Sequence, residues 1–250
     1  MIHVVFLGFG NLNHHLFIAL SSAKNVVIKQ VFNRSTVDSS SSPLKNVPCT
    51  QDISKLMDAD VYIIGIPDDA IAPFSESLPI QNKLIVHTSG GVNMSELSNN
   101  SRRGVFYPLQ TFSKQREVNF KNIPICIEAE NVRDLELLRK LGECISENVV
   151  EILSEKRLKL HLAAVFVNNF VNHLYAIGSD ILNKENLPFD LLKPLISETA
   201  LKIETLSPKA AQTGPARRKD QKTIDKHLKL LENSDNKEFY ELFTKALKNV

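Results

Sequence analysis

An apolar, β-type run over residues 2–7 ends in Gly8-Phe9-Gly10-Asn11-Leu12-Asn13 and passes at once into a helical pattern. In that pattern Leu12, Leu16, Ala19, Leu20 and Ala23 share one face at the 3.6-residue period. Two glycines between a strand and a helix leave few folds open. Gly8 permits a tight turn, and Gly10 removes a side chain that would hold the backbone away from a diphosphate. The helix start adds unpaired N–H groups and the positive end of its dipole. The third glycine of the G-x-G-x-x-G pattern is replaced by Asn13. That position serves helix-to-strand packing, so its loss weakens the pattern and leaves the phosphate site standing. Gly8, Phe9, Gly10, Asn11 and Leu12 are the expected cradle.

The same alternation continues. Residues 26–32, 61–66, 84–87, 103–107, 123–127 and 149–153 read as further buried strands, with a short helix near 52–57 and a longer one over 132–141. The serines at 39–42 read as a solvated loop. From Glu155 onward only helical segments remain, broken near Pro188, Pro194, Pro208 and Pro215. The expected fold is therefore α/β. A doubly wound parallel sheet of Rossmann type, residues 1–153, is expected to bind a dinucleotide, and an all-helical domain, residues 154–250, to follow it.

Composition narrows the partners. A formal charge of +2, from 30 Lys and Arg against 28 Asp and Glu, gives no bulk attraction to nucleic acid or anionic membrane. No apolar run approaches the roughly 18 residues that would span a bilayer. Cys49, Cys126 and Cys144 are far apart and in no metal-like spacing, so they are expected to be buried thiols in a reducing compartment, with no metal. With only Met1 ahead of the first strand, a cytoplasmic protein is expected.

Three further loops belong at the carboxyl edge of such a sheet, where ligands bind. The second strand ends in Asn33-Arg34-Ser35, where NAD-preferring sites carry an acid to accept from the ribose 2′-hydroxyl. Here an arginine stands instead, which pairs with a phosphate, so NADP(H) is expected over NAD(H). Ile66-Pro67-Asp68 and Thr88-Ser89-Gly90 are expected to flank the ribose and nicotinamide, with Asp68 and Asp69 suited to capping the next helix rather than to catalysis. His87 suits either a general acid or a strand end with a backbone partner, and the second is preferred.

The apolar helix over residues 158–178 carries a polar stripe. At 100° per residue Asn168, Asn172 and Ser179 lie within about 20° of the direction of His161, with Tyr175 close by and Asn169 and His173 to one side. Either the stripe lines a wet cleft that holds a substrate, or it bonds to neighbouring helices. Thr213-Gly214-Pro215-Ala216-Arg217-Arg218 reads as a helix start opened by proline, suited to an anion or simply a solvated basic turn. Gln110 and Thr111, in the loop after a sheet strand, suit orienting a substrate, although loop packing more often accounts for such residues.

These residues together resemble a bacterial family of Rossmann-like oxidoreductases with a C-terminal domain of unknown function, of the DUF2520 type. Its relatives are pyrroline-5-carboxylate reductase and the 3-hydroxyacid dehydrogenases. The resemblance covers the whole chain and rests on Gly8-Phe9-Gly10-Asn11, Asn33-Arg34-Ser35, Gly104-Val105-Phe106-Tyr107-Pro108-Leu109-Gln110-Thr111-Phe112 and Thr213-Gly214-Pro215-Ala216-Arg217-Arg218. It implies an NADP-binding domain, a helical domain like that of 6-phosphogluconate dehydrogenase, and a homodimer. One departure stands out. If Asn169 matches the asparagine of the 3-hydroxyacid dehydrogenases, their catalytic lysine is Val165 here, so their proton transfer does not carry over. The resulting expectation is an NADP(H)-dependent oxidoreductase acting on a small anionic imine or oxo/hydroxy acid. His161, Asn168 and Asn172 are the catalytic candidates, and Gln110, Thr111, Asn169, Thr213 and Arg217 bind substrate. The alternative is a sensor or scaffold that binds NADP(H) without turnover.

Overall fold

The computed structural model describes residues 1–36 and 43–248, so the serine run 39–42 lies outside the described residues. The chain divides into two compact units, Met1–Asn168 and Asn169–Val250.

The first unit is built on an eight-stranded sheet in the order β3-β2-β1-β4-β5-β6-β7-β8. The strands are β1 (Ile2–Leu7), β2 (Val26–Phe32), β3 (Cys49–Thr50), β4 (Val61–Ile64), β5 (Leu84–His87), β6 (Arg102–Pro108), β7 (Ile125–Ala129) and β8 (Val149–Glu151). Helices α1 (Asn11–Ser21), α2 (Asp68–Ser77) and α3 (Val132–Glu143) connect them. β4 and β5 are buried along their whole length, which is why both read as unbroken apolar runs. One face of the sheet packs Phe6, Leu16, Phe17, Leu20 and Phe106 together, and the other packs Leu7, Ile64, Ile71 and Leu97. The sheet is the expected Rossmann type, with three local differences. β7 runs antiparallel to β6. β3 adds an edge strand too short to leave a pattern. The helix expected near 52–57 is a single 3₁₀ turn, Ile53–Lys55, capped by Asp52.

After β8, helix α4 (Ser154–Ala164) is held on the sheet by a buried ionic cluster. The guanidinium of Arg157, fully buried, pairs with Glu128 on β7 and donates to the Val92 carbonyl and to Oγ of Ser154. Ser154 in turn donates to Glu128 at 2.7 Å and accepts from the Met94 amide at 3.0 Å. Burying these charges is tolerable because each finds a partner.

The backbone then forms a π-helical stretch, Val165–Phe170, before α5 (Val171–Lys184). Its i→i+5 bonding turns each residue by less than the α-helical 100°. The single straight stripe expected from His161 to Ser179 assumed a uniform turn, and that assumption fails across Val165–Phe170.

The second unit carries α5, α6 (Lys193–Lys202), α7 (Pro208–Ala211), α8 (Gln221–Leu230) and α9 (Asn236–Leu247). His227 and Tyr240 join α8 to α9 through a 2.7 Å hydrogen bond. Pro215 opens a turn and no helix. Gly214 sits at φ +110° and Lys219 at φ +55°, and α8 begins only at Gln221 with Asp220 accepting from the Thr223 amide. The helix dipole expected beside Arg217 is therefore missing. Among the described residues of this unit only Ala216 and Ile224 count as buried apolar side chains, while Leu191, Leu195, Leu230 and Leu242 are more than three-fifths exposed. The apolar faces of these helices are therefore exposed in the single chain.

Candidate functional site

The glycine turn is rigidly braced. Gly8 adopts φ +88°, and a Cβ there would stand 2.5 Å from Cγ2 of Ile66 and 2.7 Å from the Gly65 carbonyl oxygen. The amide of Phe9 donates to Oδ1 of Asn33 at 3.0 Å. Asn13, fully buried, donates from Nδ2 to the Gly8 carbonyl at 2.8 Å. Its side chain fills the room left by Gly65, where a Cβ would stand 2.3 Å from it. The residue that breaks the glycine pattern therefore ties the turn down, and the close approach is made by Gly65.

Gly10 is the N-cap of α1 and supplies no side-chain cap. The amides of Asn11 and Leu12 have no acceptor among the described residues. A Cβ on Gly10 would meet only the Gly65 carbonyl oxygen, at 3.8 Å, so the space outside the turn is open. That combination suits a diphosphate.

At the end of β2, Asn33 spends its amide on Ser35, at 2.8 Å to the carbonyl and 3.2 Å to Oγ, as well as on Phe9. It acts as a brace for the loop. Arg34 is exposed and has no protein partner among the described residues. A surface cavity of about 500 Å³ opens here, bordered by Ser35, Thr36, Thr50, Gln51 and Lys55. Lys55, absent from the sequence expectations, is a second cation at this end.

A second cation also reaches the glycine turn. The loop after β6 crosses the start of α1: Asn11 donates to the Phe112 carbonyl at 3.3 Å, and His15 meets the Ser113 carbonyl at 2.9 Å. This crossing sets Lys114 Nζ 6.0 Å from the ring centre of Phe9. Burial, with the neighbouring His15 and Lys114, holds the His14 imidazole below its usual range. Gln110 and Thr111 lie exposed on the same loop, joined to each other at 2.8 Å.

Over the ends of β5 and β6 the structure assembles a different group. The hydroxyl of Tyr107 lies 3.3 Å from Nδ1 of His161, with the rings edge to face. A Cβ on Gly90 would strike His161 Nδ1 at 2.7 Å and Tyr107 Cζ at 2.8 Å, so the glycine makes room for the pair. Asp68, in the first turn of α2, approaches Gly91, where a Cβ would stand 3.4 Å from its Oδ2. Neither Asp68 nor Asp69 caps the helix through its side chain; the N-cap is Pro67. Burial pushes the Tyr107 phenol up to about 12 and the Cys126 thiol beneath it up to about 11, so both stay protonated. Thr88 and Ser89 use their hydroxyls within the loop: Thr88 donates to the Ile64 carbonyl, and Ser89 Oγ accepts from the amides of Gly91 and Val92. His87 is fully buried, accepts from the Ser89 amide at Nδ1, and is driven down to about 3 by burial and the Arg157 charge.

The first unit thus carries the glycine turn, Arg34, Asp68, Gly90 and His161, with Asn168 exposed in its last, π-helical stretch. Asn169, Asn172, Thr213 and Arg217 belong to the second unit, where Arg217 donates to the Lys209 carbonyl at 2.7 Å. Tyr107, Lys114 and Gly65 went unnoticed as site residues in the sequence, although Tyr107 lies inside one of the family-like segments. Cys49 is exposed and Cys126 buried, so the thiols are not uniformly interior. Among the described residues no three His, Cys, Asp or Glu side chains form a metal-like cluster, and no helix is long and apolar enough to cross a membrane.

The family model described as Domain of unknown function (DUF2520) matches residues 123–247. A Bacteroides fragilis protein provisionally designated an NADP oxidoreductase is 39% identical, with a TM-score of 0.90 over 100% of this chain and 98% of its own. The chain belongs to the DUF2520 family. A Thermotoga maritima protein shares the fold at 22% identity and TM-score 0.82, covering 98% of each chain. So does pyrroline carboxylate reductase from Plasmodium falciparum, solved with NADP bound, at 14% identity and TM-score 0.59 over 99% of this chain and 98% of that one. No curated protein matches the chain.

Proposed function

We propose that this protein is an NADP(H)-dependent oxidoreductase acting on a small substrate at the carboxyl edge of the sheet. The observation that carries the reading is the open, braced N-terminus of α1, where the amides of Asn11 and Leu12, like Arg34 at the end of β2, have no partner among the described residues. The 39% identical Bacteroides fragilis relative supports it.

Gly10, Asn11 and Leu12 would hold the diphosphate. Arg34, with Ser35, would take the 2′-phosphate, which favours NADP(H) over NAD(H). When bound, the dinucleotide supplies or accepts hydride. The chain's own contribution is position and polarisation. His161 is the group placed to share a proton with the substrate, seated over Gly90 and Gly91 and paired with Tyr107. Asn168 and Asn172, followed by Asn169, Thr213, Arg217, Gln110 and Thr111, remain candidates for holding an anionic imine or oxo/hydroxy acid. In functional terms residues 1–153 form the dinucleotide domain and 154–250 the substrate and dimer domain. The occupant of the exposed apolar faces of the second unit is a second copy of the chain.

A sensor that binds NADP(H) without turnover is the second reading, favoured by Val165 standing where related dehydrogenases carry lysine. A panel of small imines and oxo acids, followed by NADPH absorbance, separates the two. Steady turnover that falls at least tenfold in His161→Gln is expected. Tight NADPH binding with no turnover on any substrate supports the sensor.

A further inference from the structure

We infer that Tyr107 is a positioning residue whose hydroxyl donates to Nδ1 of His161, keeping the proton of the neutral imidazole on Nε2, where it is offered to a hydrogen-bond acceptor on the substrate.

The geometry is contained within the first unit. Tyr107 is only 8% exposed, and His161 is the partner of its hydroxyl among the described residues. A phenol held up to about 12 keeps its proton at any working pH. If His161 Nδ1 were the donor, that O–H would have no acceptor among the described residues, at a cost on the order of 1–3 kcal/mol where water is kept out. With Tyr107 donating, both groups are satisfied and Nδ1 becomes an acceptor.

Three features fix the pair. Gly90 leaves the room that both rings enter. Arg157, one helical turn before His161, anchors α4 to Glu128, so the imidazole is carried on an element that cannot easily shift. Tyr107 itself stands on β6, in register with Cys126 of β7. Nε2 has no protein partner among the described residues and is left to donate. A neutral N–H donor matches an atom with a free lone pair, such as a carbonyl or hydroxyl oxygen, and not a protonated imine nitrogen, which has none. The pairing is a property of the protein alone, and only its catalytic meaning rests on the oxidoreductase reading.

Side-chain nitrogen–proton correlation spectra of the full chain in mildly alkaline buffer, with His161 assigned through His161→Gln, show which nitrogen carries the proton. The expected result is Nε2–H with Nδ1 as acceptor. Tyr107→Phe keeps the ring and removes the donor, and should lower the tautomer ratio by about fivefold, the worth of one ordinary hydrogen bond. A proton on Nδ1 in the wild type overturns the inference, as does a ratio unchanged in a folded Tyr107→Phe protein. The wild-type spectrum keeps the test decisive should that variant fold poorly. NADPH titration of the same sample is a separate test: Nε2–H in a protein that binds no dinucleotide contradicts the proposed function and leaves the pairing standing.

Discussion

The side chain of Asn13 occupies the volume that Gly65 leaves empty, 2.3 Å from where a Cβ would stand, and donates to the Gly8 carbonyl at 2.8 Å. The close contact between first helix and sheet is thus kept with the glycine moved from helix to strand end. Gly65→Ala should overpack this contact and cost about 1–3 kcal/mol. In an Asn13→Gly background the same substitution should cost at least about 1 kcal/mol less, because the clash is gone. Denaturant unfolding of the four proteins measures the coupling, and additive costs would show that the two positions do not compete for space.

Arg157 and Glu128 are a buried pair whose members depend on each other. Arg157→Met leaves the Glu128 carboxylate unpaired and should cost about 3–5 kcal/mol, with roughly half recovered when Glu128→Gln is added. Thermal unfolding reads both effects. A single-variant loss under about 1 kcal/mol would mean that α4 is anchored by other contacts.

His87 ties acid stability to the site loop. Its folded-state value is about 3 against 6.5 for the free side chain, so below pH 6.5 the unfolded chain takes up a proton that the folded chain refuses. Stability is therefore lost as pH falls from 6.5 towards 3, with a slope of up to about 1.4 kcal/mol per pH unit from this group. His87→Asn retains an acceptor for the Ser89 amide and removes the titration. Unfolding free energies across that window should flatten by close to one proton in the variant, and an unchanged slope would place the proton elsewhere.

Lys114 is brought to the glycine turn by the loop after β6 and has no ion-pair partner among the described residues. Lys114→Gln should weaken NADPH binding by about three- to tenfold and reduce its salt dependence, as the loss of one cation near a diphosphate requires. Fluorescence titration at two ionic strengths decides it. Equal affinity and equal salt dependence would leave Lys114 as surface charge.

What was legible in the sequence was whatever local periodicity encodes. β1, β2 and β5 have the boundaries that their apolar runs announce, most plainly β5, which is buried along its whole length. β3 escaped because two residues carry no period, and the antiparallel turn of β7 because hydrophobicity does not encode strand direction. At Pro215 the local signal for a helix start lost to a turn held by Gly214 and Lys219 in positive φ. The Tyr107–His161 pair joins positions 54 residues apart, and its one local trace is Gly90, whose missing side chain looks in the sequence like any loop glycine. Asn13 reads as damage to a motif until Gly65 is seen across from it.

The central claim is that the amides at the start of α1 and the guanidinium of Arg34 hold NADP(H). Titrating the purified protein with NADPH and NADH by nucleotide fluorescence tests it most directly. NADPH should bind at least about tenfold more tightly than NADH, the worth of one charge-assisted phosphate contact, and Arg34→Asp should abolish that preference. Binding of neither nucleotide, or an NADPH preference untouched by Arg34→Asp, would contradict the account.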